Sequence, residues 1–185
     1  MAGINRARKS GVLKYASLNE TTGYHASEPC VFISYHHLDK EVAEKIANYL
    51  TKVLYLDIYF DDYDQELKKS LDNGDDLGVT KAINTGIENS TDILCIVSSK
   101  TKESWWVPYE LGYAKKKNVG IASLKIKGEG DFPSYLKIEK TITDFADFSD
   151  HYKGIRMNKV NQINETAGKG VYSIGHTAAV KELLY

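Results

Sequence analysis

Short apolar runs alternate with helical stretches between residues 31 and 143, and this alternation limits the folds open to the chain. Residues 31–35 form a β-branched and aromatic run that predicts a buried strand. A helix is predicted next, capped by Asp39, from apolar residues spaced three and four apart: Val42, Ile46, Tyr49, Leu50 and Val53. A strand followed by a helix and another strand indicates βαβ units and a parallel sheet.

The same pattern predicts four more strands. They fall at residues 56–60, 92–98 and 119–124, with an edge strand within 136–143. Helices are predicted around Val79, Ile83 and Ile87 and over residues 106–117. We therefore expect an α/β, flavodoxin-like three-layer sandwich, in which helices cover both faces of a mainly parallel five-stranded sheet of order 2-1-3-4-5.

The chain of 185 residues is long enough for one domain with its own core. We place this domain at residues 29–150, between an N-terminal arm at 1–28 and a C-terminal extension at 151–185 that packs on or near it. Residues 177–184 are predicted to add a small helix. The acidic stretch 63–78 contains the turn residues Asn73 and Gly74, and we interpret it as a functional loop with room for a short helix.

Composition excludes several classes of function. The 24 basic and 25 acidic residues nearly cancel, which argues against a nucleic-acid or membrane surface. No apolar stretch approaches the roughly 18 residues that span a bilayer, and residues 1–28 lack the apolar core of a secretory signal. Cys30 and Cys95 lie in apolar runs, so we expect free, buried thiols in a reducing, cytoplasmic compartment. Neither zinc spacing nor EF-hand spacing is present, so no metal is expected.

Polar residues follow three of the predicted strands. They are Ser34, Tyr35, His36 and His37 after the first, Asp61 and Asp62 after the second, and Ser98, Ser99 and Lys100 after the third. Ligands of open parallel sheets bind beyond the carboxyl ends of the strands, near the point where the strand order reverses. We therefore expect these groups to converge on one site.

Glu110 is the candidate catalytic carboxylate, at the end of the run WWVPYE over residues 105–110. Pro108 suits a first helical turn, because its missing N–H has no helical partner there. In that turn the helix dipole would favour a charged Glu110, and Trp106, four residues earlier, would face the same way. Such a carboxylate can stabilise positive charge. From position alone, a structural role for both residues is the commoner one.

Several of these segments together resemble the TIR (Toll/interleukin-receptor) domain over roughly residues 29–150. They are the strand 31–35 with its capped helix, the stretch before Gly78-Val79-Thr80, the strand 93–98, and the run 106–110. Their order and spacing carry the resemblance more than any single segment does. The family has the flavodoxin-like fold expected above.

The resemblance implies an enzyme that cleaves the bond between nicotinamide and ribose in NAD+, which is consumed as a substrate and not held as a cofactor. In enzymatic TIR domains this requires the glutamate of a Trp-x-x-x-Glu motif, here Glu110 with Trp106. The expected NAD+-binding residues are Ser34, Tyr35, His36, Asp61, Ser98 and Trp106. The pair His36-His37 replaces the small serine-rich turn common in the family. The loop 62–78 would gate the pocket or join subunits, and self-association is expected.

The short chain also looks like bacterial TIR proteins of antiphage defence, including the Thoeris type. In these, the product of NAD+ cleavage is a signal that activates a separate effector. Two alternatives stay open. Residues 109–114 also resemble the glutamate motif of nucleoside deoxyribosyltransferases, and some TIR domains are non-catalytic adaptors that act through TIR–TIR assembly.

Overall fold

A five-stranded parallel sheet forms the centre of the protein, whose computed structural model describes residues 3–9, 29–126, 132–160 and 174–184. The strands are β1 Cys30–Ser34, β2 Asp57–Tyr59, β3 Asp92–Val97, β4 Gly120–Lys125 and β5 Lys140–Ile142. Their order is β2-β1-β3-β4-β5, and all four neighbouring pairs are parallel. The predicted flavodoxin-like fold and strand order are confirmed.

Six α-helices surround the sheet in the described part of the chain. They are α1 Lys40–Lys52, α2 Gln65–Asp72, α3 Asp76–Glu88, α4 Trp106–Lys116, α5 Phe145–Val160 and α6 Ile174–Leu184. None of them is long and apolar enough to cross a membrane. Short 3₁₀ turns at His37–Asp39, Asp61–Tyr63 and Thr101–Glu103 come after the first three strands.

Successive residues of β1 enter two different cores. Val31 and Ile33 pack in a cluster with residues of α1 and α5, whereas Phe32 packs on the other side with residues of α3 and α4. All three side chains are almost fully buried. A strand that is covered on both faces cannot alternate apolar and polar residues, which explains the uninterrupted apolar run in the sequence.

The predicted loop over residues 63–78 is mostly helical. Asp64 caps α2 by accepting hydrogen bonds from the backbone N–H groups of Glu66 and Leu67. Asp75 caps α3 in the same way, by accepting from the N–H of Gly78. The acidic residues that made the stretch look like a solvated loop thus include the two helix caps. Only Gly74, with φ of 63°, is a left-handed turn residue there.

The start of the N-terminal arm lies along the outer side of β2. Asn5 forms a parallel β-bridge with Ile58, and the N–H of Ile58 donates to the carbonyl of Ile4 at 2.9 Å. The rest of the arm, residues 10–28, lies outside the described residues. At the other end of the chain, α5 runs through position 150, the predicted end of the domain, and α6 packs on α1.

Candidate active site

The central contact of the candidate site joins Ser34, the last residue of β1, to Glu110 of α4. The Ser34 hydroxyl donates to Oε2 of Glu110 at 2.5 Å, and both residues are buried. The buried face of α4 consists of Val107, Leu111 and Ala114 together with Glu110. The glutamate therefore takes a position in the helix that otherwise packs against the sheet, and it lies at the carboxyl end of β1.

Burial controls the ionisation of Glu110. It raises the pKa of this carboxyl to about 8; the Ser34 hydrogen bond lowers it, and the charge of Asp61 raises it further. The expectation that the helix dipole keeps Glu110 charged is wrong. Glu110 is the fifth residue of α4 and lies beyond the first turn, where the dipole acts, and the cost of burying a charge is larger.

A second carboxylate, Asp61, lies in the turn after β2, and its charge acts on Glu110. Burial raises the pKa of Asp61 to about 6, and a hydrogen bond from Tyr35 opposes this rise. Burial also raises the pKa of the Tyr35 hydroxyl, with Asp61 as the next cause, so Tyr35 stays neutral and can donate. Oδ1 of Asp61 is buried and accepts no hydrogen bond from the described residues. A buried oxygen of this kind favours a ligand that can donate a hydrogen bond to it.

Cys95 completes the surroundings of Glu110. It is the partner of Ser34 in the β1–β3 register and is fully buried. Burial raises the pKa of its thiol, and the charge of Glu110 raises it further. The sequence predicted a free, buried thiol here, which the structure confirms, but no local pattern indicated its proximity to Glu110. As a neutral thiol, Cys95 gives Glu110 a neighbour of low polarity.

Ser98 belongs to a separate cluster. Its hydroxyl donates to Oδ2 of Asp39 at 2.5 Å, and Nζ of Lys100 pairs with Oδ1 of Asp39 at 2.9 Å. Asp39 directly precedes α1, but its side chain makes no capping hydrogen bond, because its carboxylate is bound to Ser98 and Lys100. The cluster joins the loops that come after β1 and β3. The sequence indicated Ser98 and Lys100 at this edge but assigned Asp39 only to the helix cap.

His36 and Trp106 differ in exposure, because His36 is buried whereas Trp106 is partly open to solvent. Nδ1 of His36 accepts a hydrogen bond from the N–H of Leu38 at 3.3 Å, so His36 caps the 3₁₀ turn after β1. The centroid of its ring lies 4.3 Å from that of His37. Trp106 is 39 % exposed and packs edge-to-face on Tyr109. Because α4 begins at Trp106, Trp106 and Glu110 lie four residues apart on one side of the helix, as predicted, but Glu110 is only 5 % exposed.

The predicted binding residues thus divide into three groups. Ser34, Tyr35 and Asp61 lie around Glu110, Ser98 lies in the Asp39 cluster, and His36 and Trp106 stand apart from both, the histidine buried and the tryptophan 39 % exposed. Across the described ranges, no three His, Cys, Asp or Glu side chains are grouped so that they could hold a metal ion. The arrangement offers a buried carboxyl with a shifted pKa, one hydroxyl bonded to it, and a second carboxylate with an unused acceptor.

A model of the TIR domain family matches residues 31–160, which is more than half of the chain. The match runs from β1 to the end of α5 and includes the residues around Glu110. No curated protein matches the chain significantly.

Proposed function

The chain belongs to the TIR domain family, and we propose that it is an enzyme that cleaves the bond between nicotinamide and ribose in NAD+. The observation that carries this proposal is the Glu110 carboxyl, buried at the carboxyl end of the sheet and bonded to Ser34. A buried acid with a strongly shifted pKa is costly for the fold, and such groups concentrate at functional sites. The family contains both enzymes and adaptors, and this residue favours the enzyme.

The chemistry needs one carboxylate. When the glycosidic bond breaks, its electron pair goes to the nicotinamide nitrogen, so nicotinamide leaves as a neutral molecule. The ribose then carries oxocarbenium character, which the Glu110 carboxylate stabilises or traps, as in glycoside hydrolysis. Water completes the reaction to ADP-ribose, whereas a nucleophile within the molecule gives a cyclic product.

The raised pKa of Glu110 suits this role. Near pH 7 the group is mostly protonated in the free protein, since its pKa is about 8. A cationic nicotinamide ring placed beside it favours the ionised form, so binding of NAD+ expels the proton. The resulting charge pair lies in a low-dielectric site, where electrostatic stabilisation is stronger than in water. Ser34 orients the carboxylate through its hydrogen bond.

Asp61 supplies a second element of the proposed site. Its buried Oδ1 accepts nothing from the described residues, and a ribose hydroxyl is a donor of suitable chemistry. Tyr35 contacts the same carboxylate. We assign Tyr35 and Asp61 to binding of the nicotinamide ribose, with Ser98, His36 and Trp106 as further binding positions.

The deciding experiment measures nicotinamide release from NAD+ by the parent protein, Glu110→Gln and Glu110→Ala. We expect both variants to lose about 10²–10³-fold in rate or more, because the main electrostatic group is removed. Glu103→Gln is the matched control, since Glu103 is an exposed acid just before α4, and it should retain the parent rate. If the parent releases no nicotinamide even at high protein concentration, the adaptor function is favoured.

The product decides the biological setting. We propose a role in bacterial antiphage defence of the Thoeris type, in which a cyclic or conjugated ADP-ribose signal activates a separate effector. Mass spectrometry of the reaction mixture distinguishes such a signal from free ADP-ribose. The same assay with deoxynucleosides tests the deoxyribosyltransferase alternative, which the match to the TIR family makes the weaker one.

A further inference from the structure

Asn5, in the N-terminal arm, holds the chain at the point where β2 ends. Its Oδ1 accepts a hydrogen bond from the N–H of Phe60 at 3.1 Å, and its Nδ2 donates to the carbonyl of Phe60 at 3.4 Å. Both backbone groups of Phe60 are therefore bound by one side chain. Oδ1 also accepts from the N–H of Ala7 at 3.1 Å, which fixes the Asn5 amide within its own segment.

Phe60 needs such a partner because of its place in the sheet. β2 is the edge strand, and its pairing with β1 ends at Tyr59, which is opposite Phe32. Phe60 lies one residue beyond the last paired position. Unpaired backbone groups at a buried position are costly. The Asn5 side chain accepts the hydrogen bond of the Phe60 N–H, and it shares the Phe60 carbonyl with the N–H of Tyr63, which donates at 3.2 Å.

The arm itself is firmly attached. Arg6 is 5 % exposed and pairs with Asp57 at 2.9 Å, and it also donates to the carbonyl of Asn89 at 3.1 Å. At Gly3, a Cβ would lie 1.9 Å from the carbonyl oxygen of Leu56, so the arm approaches the chain closely. Asn5 is thus held between two anchored residues.

The acidic side of the candidate site begins directly after Phe60. Phe60 is the N-cap residue of the turn Asp61–Tyr63, and its ring packs on Tyr35, with centroids 5.2 Å apart. The N-terminal 3₁₀ turn Arg6–Lys9 contacts the same Asp61–Tyr63 turn. The position of Asp61 relative to Glu110 therefore depends on the hydrogen bonds that fix Phe60.

We propose that Asn5 is a positioning residue for the candidate active site, which acts by fixing Phe60 and hence the place of Asp61 beside Glu110. The effect of Asn5 on catalysis rests on the function proposed above. Its effect on the position of Asp61 does not, because the titration of Asp61 and Glu110 can be measured without any enzymatic reaction. Asn5 lies outside the residues 31–160 that match the family, so it is a feature of this chain's own arm.

The test titrates the side-chain carboxyls of Asp61 and Glu110 by carbon NMR in the parent, Asn5→Ala and Asn48→Ala. Asn48 is the matched control, because its amide bonds only a backbone carbonyl of its own helix, that of Glu44. Both substitutions leave in place the other groups that act on the two titrating carboxyls, which are Ser34, Tyr35, Asp62 and Asp64. A changed midpoint therefore reports changed geometry.

In Asn5→Ala the freed turn exposes Asp61 and moves its charge away from Glu110. Both titration midpoints should fall, by about half a unit or more, while those of Asn48→Ala stay at the parent values. The midpoint of the pH–rate profile for nicotinamide release should fall with them. If Asn5→Ala does not fold, Asn5→Ser keeps one polar group and should give a smaller shift of the same sign.

Unchanged midpoints for Asp61 and Glu110 in a folded Asn5 variant would overturn the proposal. A parent protein without nicotinamide release at any pH would instead overturn the proposed function. The NMR titration would still decide the role of Asn5 in that case, so the two failures are distinguishable.

Discussion

At the scale of single residues, burial and two neighbours with opposing effects set the ionisation of Glu110. Burial raises its pKa to about 8, Ser34 lowers it through a hydrogen bond, and the charge of Asp61 raises it. Because the proposed chemistry uses the ionised carboxylate, this balance sets the pH at which the site becomes active. Ser34 and Asp61 are therefore the residues through which the activity can be adjusted without removing Glu110.

The pH dependence of the reaction is a consequence of this balance. A carboxyl with a raised pKa loses its proton only as pH rises through that value, and the proposed chemistry uses the ionised form. We expect kcat/KM for nicotinamide release to rise about tenfold per pH unit below a midpoint near 8, and to level off above it. Initial rates measured from pH 5 to 9.5 would show this profile.

Two variants give the control for this profile. Ser34→Ala removes the hydrogen bond that favours the carboxylate, so the midpoint should move to higher pH. Asp61→Asn removes the charge that opposes ionisation, so its midpoint should move to lower pH. A rate that falls with rising pH, or midpoints that move in the opposite directions, would contradict the assignment of Glu110.

At the scale of elements, local sequence predicted the strands and most helices, because periodicity and β-branched runs are local signals. Residues 63–78 and the helix α5, for which no helix was predicted, are the exceptions. The stretch 63–78 shows the reason. There the short helix α2 has one buried residue, Leu67, too few for a visible stripe, and the caps Asp64 and Asp75 resemble loop residues. The contact between Ser34 and Glu110 spans 76 positions. Sequence predicted that both lie at the same edge of the sheet, but only packing defines their bond and the resulting pKa.

Two helical glycines give an element-level prediction with opposite signs. At Gly86 in α3, a Cβ would lie 2.5 Å from Cε1 of Tyr59, whose hydroxyl is bound to Asp64. Gly86→Ala should therefore destabilise the protein by about 1–3 kcal/mol. At Gly112 in α4, a Cβ would meet nothing within 4 Å. Gly112→Ala should stabilise it by about 0.5–1 kcal/mol, because alanine restricts the unfolded chain.

Urea unfolding of both glycine variants tests this pair, with the free energy of unfolding as the measured quantity. The two values should lie on opposite sides of the parent value. A stabilising Gly86→Ala would mean that the ring of Tyr59 can move away, and hence that the link from α3 through Tyr59 to the cap of α2 is loose.

At the scale of the whole molecule, the strand order was predictable because few topologies close a parallel sheet of this length. Docking of the arm on β2 was not predictable. The contacts of Asn5 and Arg6 reach residues 51 to 83 positions away, and they involve single polar side chains without any periodic pattern. Long-range polar contacts of this kind leave no local signal in one sequence.

Arg6 tests how far the arm contributes to the fold. Its pair with Asp57 is buried, with side-chain exposures of 6 % and 17 %. Arg6→Ala leaves Asp57 with the N–H of Ile4 but without its cation, and should lower the free energy of unfolding by about 3 kcal/mol. The matched control is Lys115→Ala, which breaks a pair with Glu139 in which the lysine is 65 % exposed, and it should change stability by less than about 1 kcal/mol. If Arg6→Ala lowers the free energy of unfolding as little as Lys115→Ala does, the Arg6 contact does not stabilise the fold.

Self-association is the last prediction, and it concerns the surface beside the candidate site. Trp105 is 92 % exposed, and Trp106 and Tyr109 next to it are 39 % and 37 % exposed. Exposed aromatic residues grouped in this way favour contact with another protein surface, and we propose a second copy of this chain. Nicotinamide release per molecule should then rise with protein concentration, and Trp105→Ser should weaken that rise while leaving the free energy of unfolding unchanged. Met157→Ser, which alters an exposed residue of α5, should retain the parent behaviour. A rate per molecule that stays constant over a wide dilution range would show that each chain works alone.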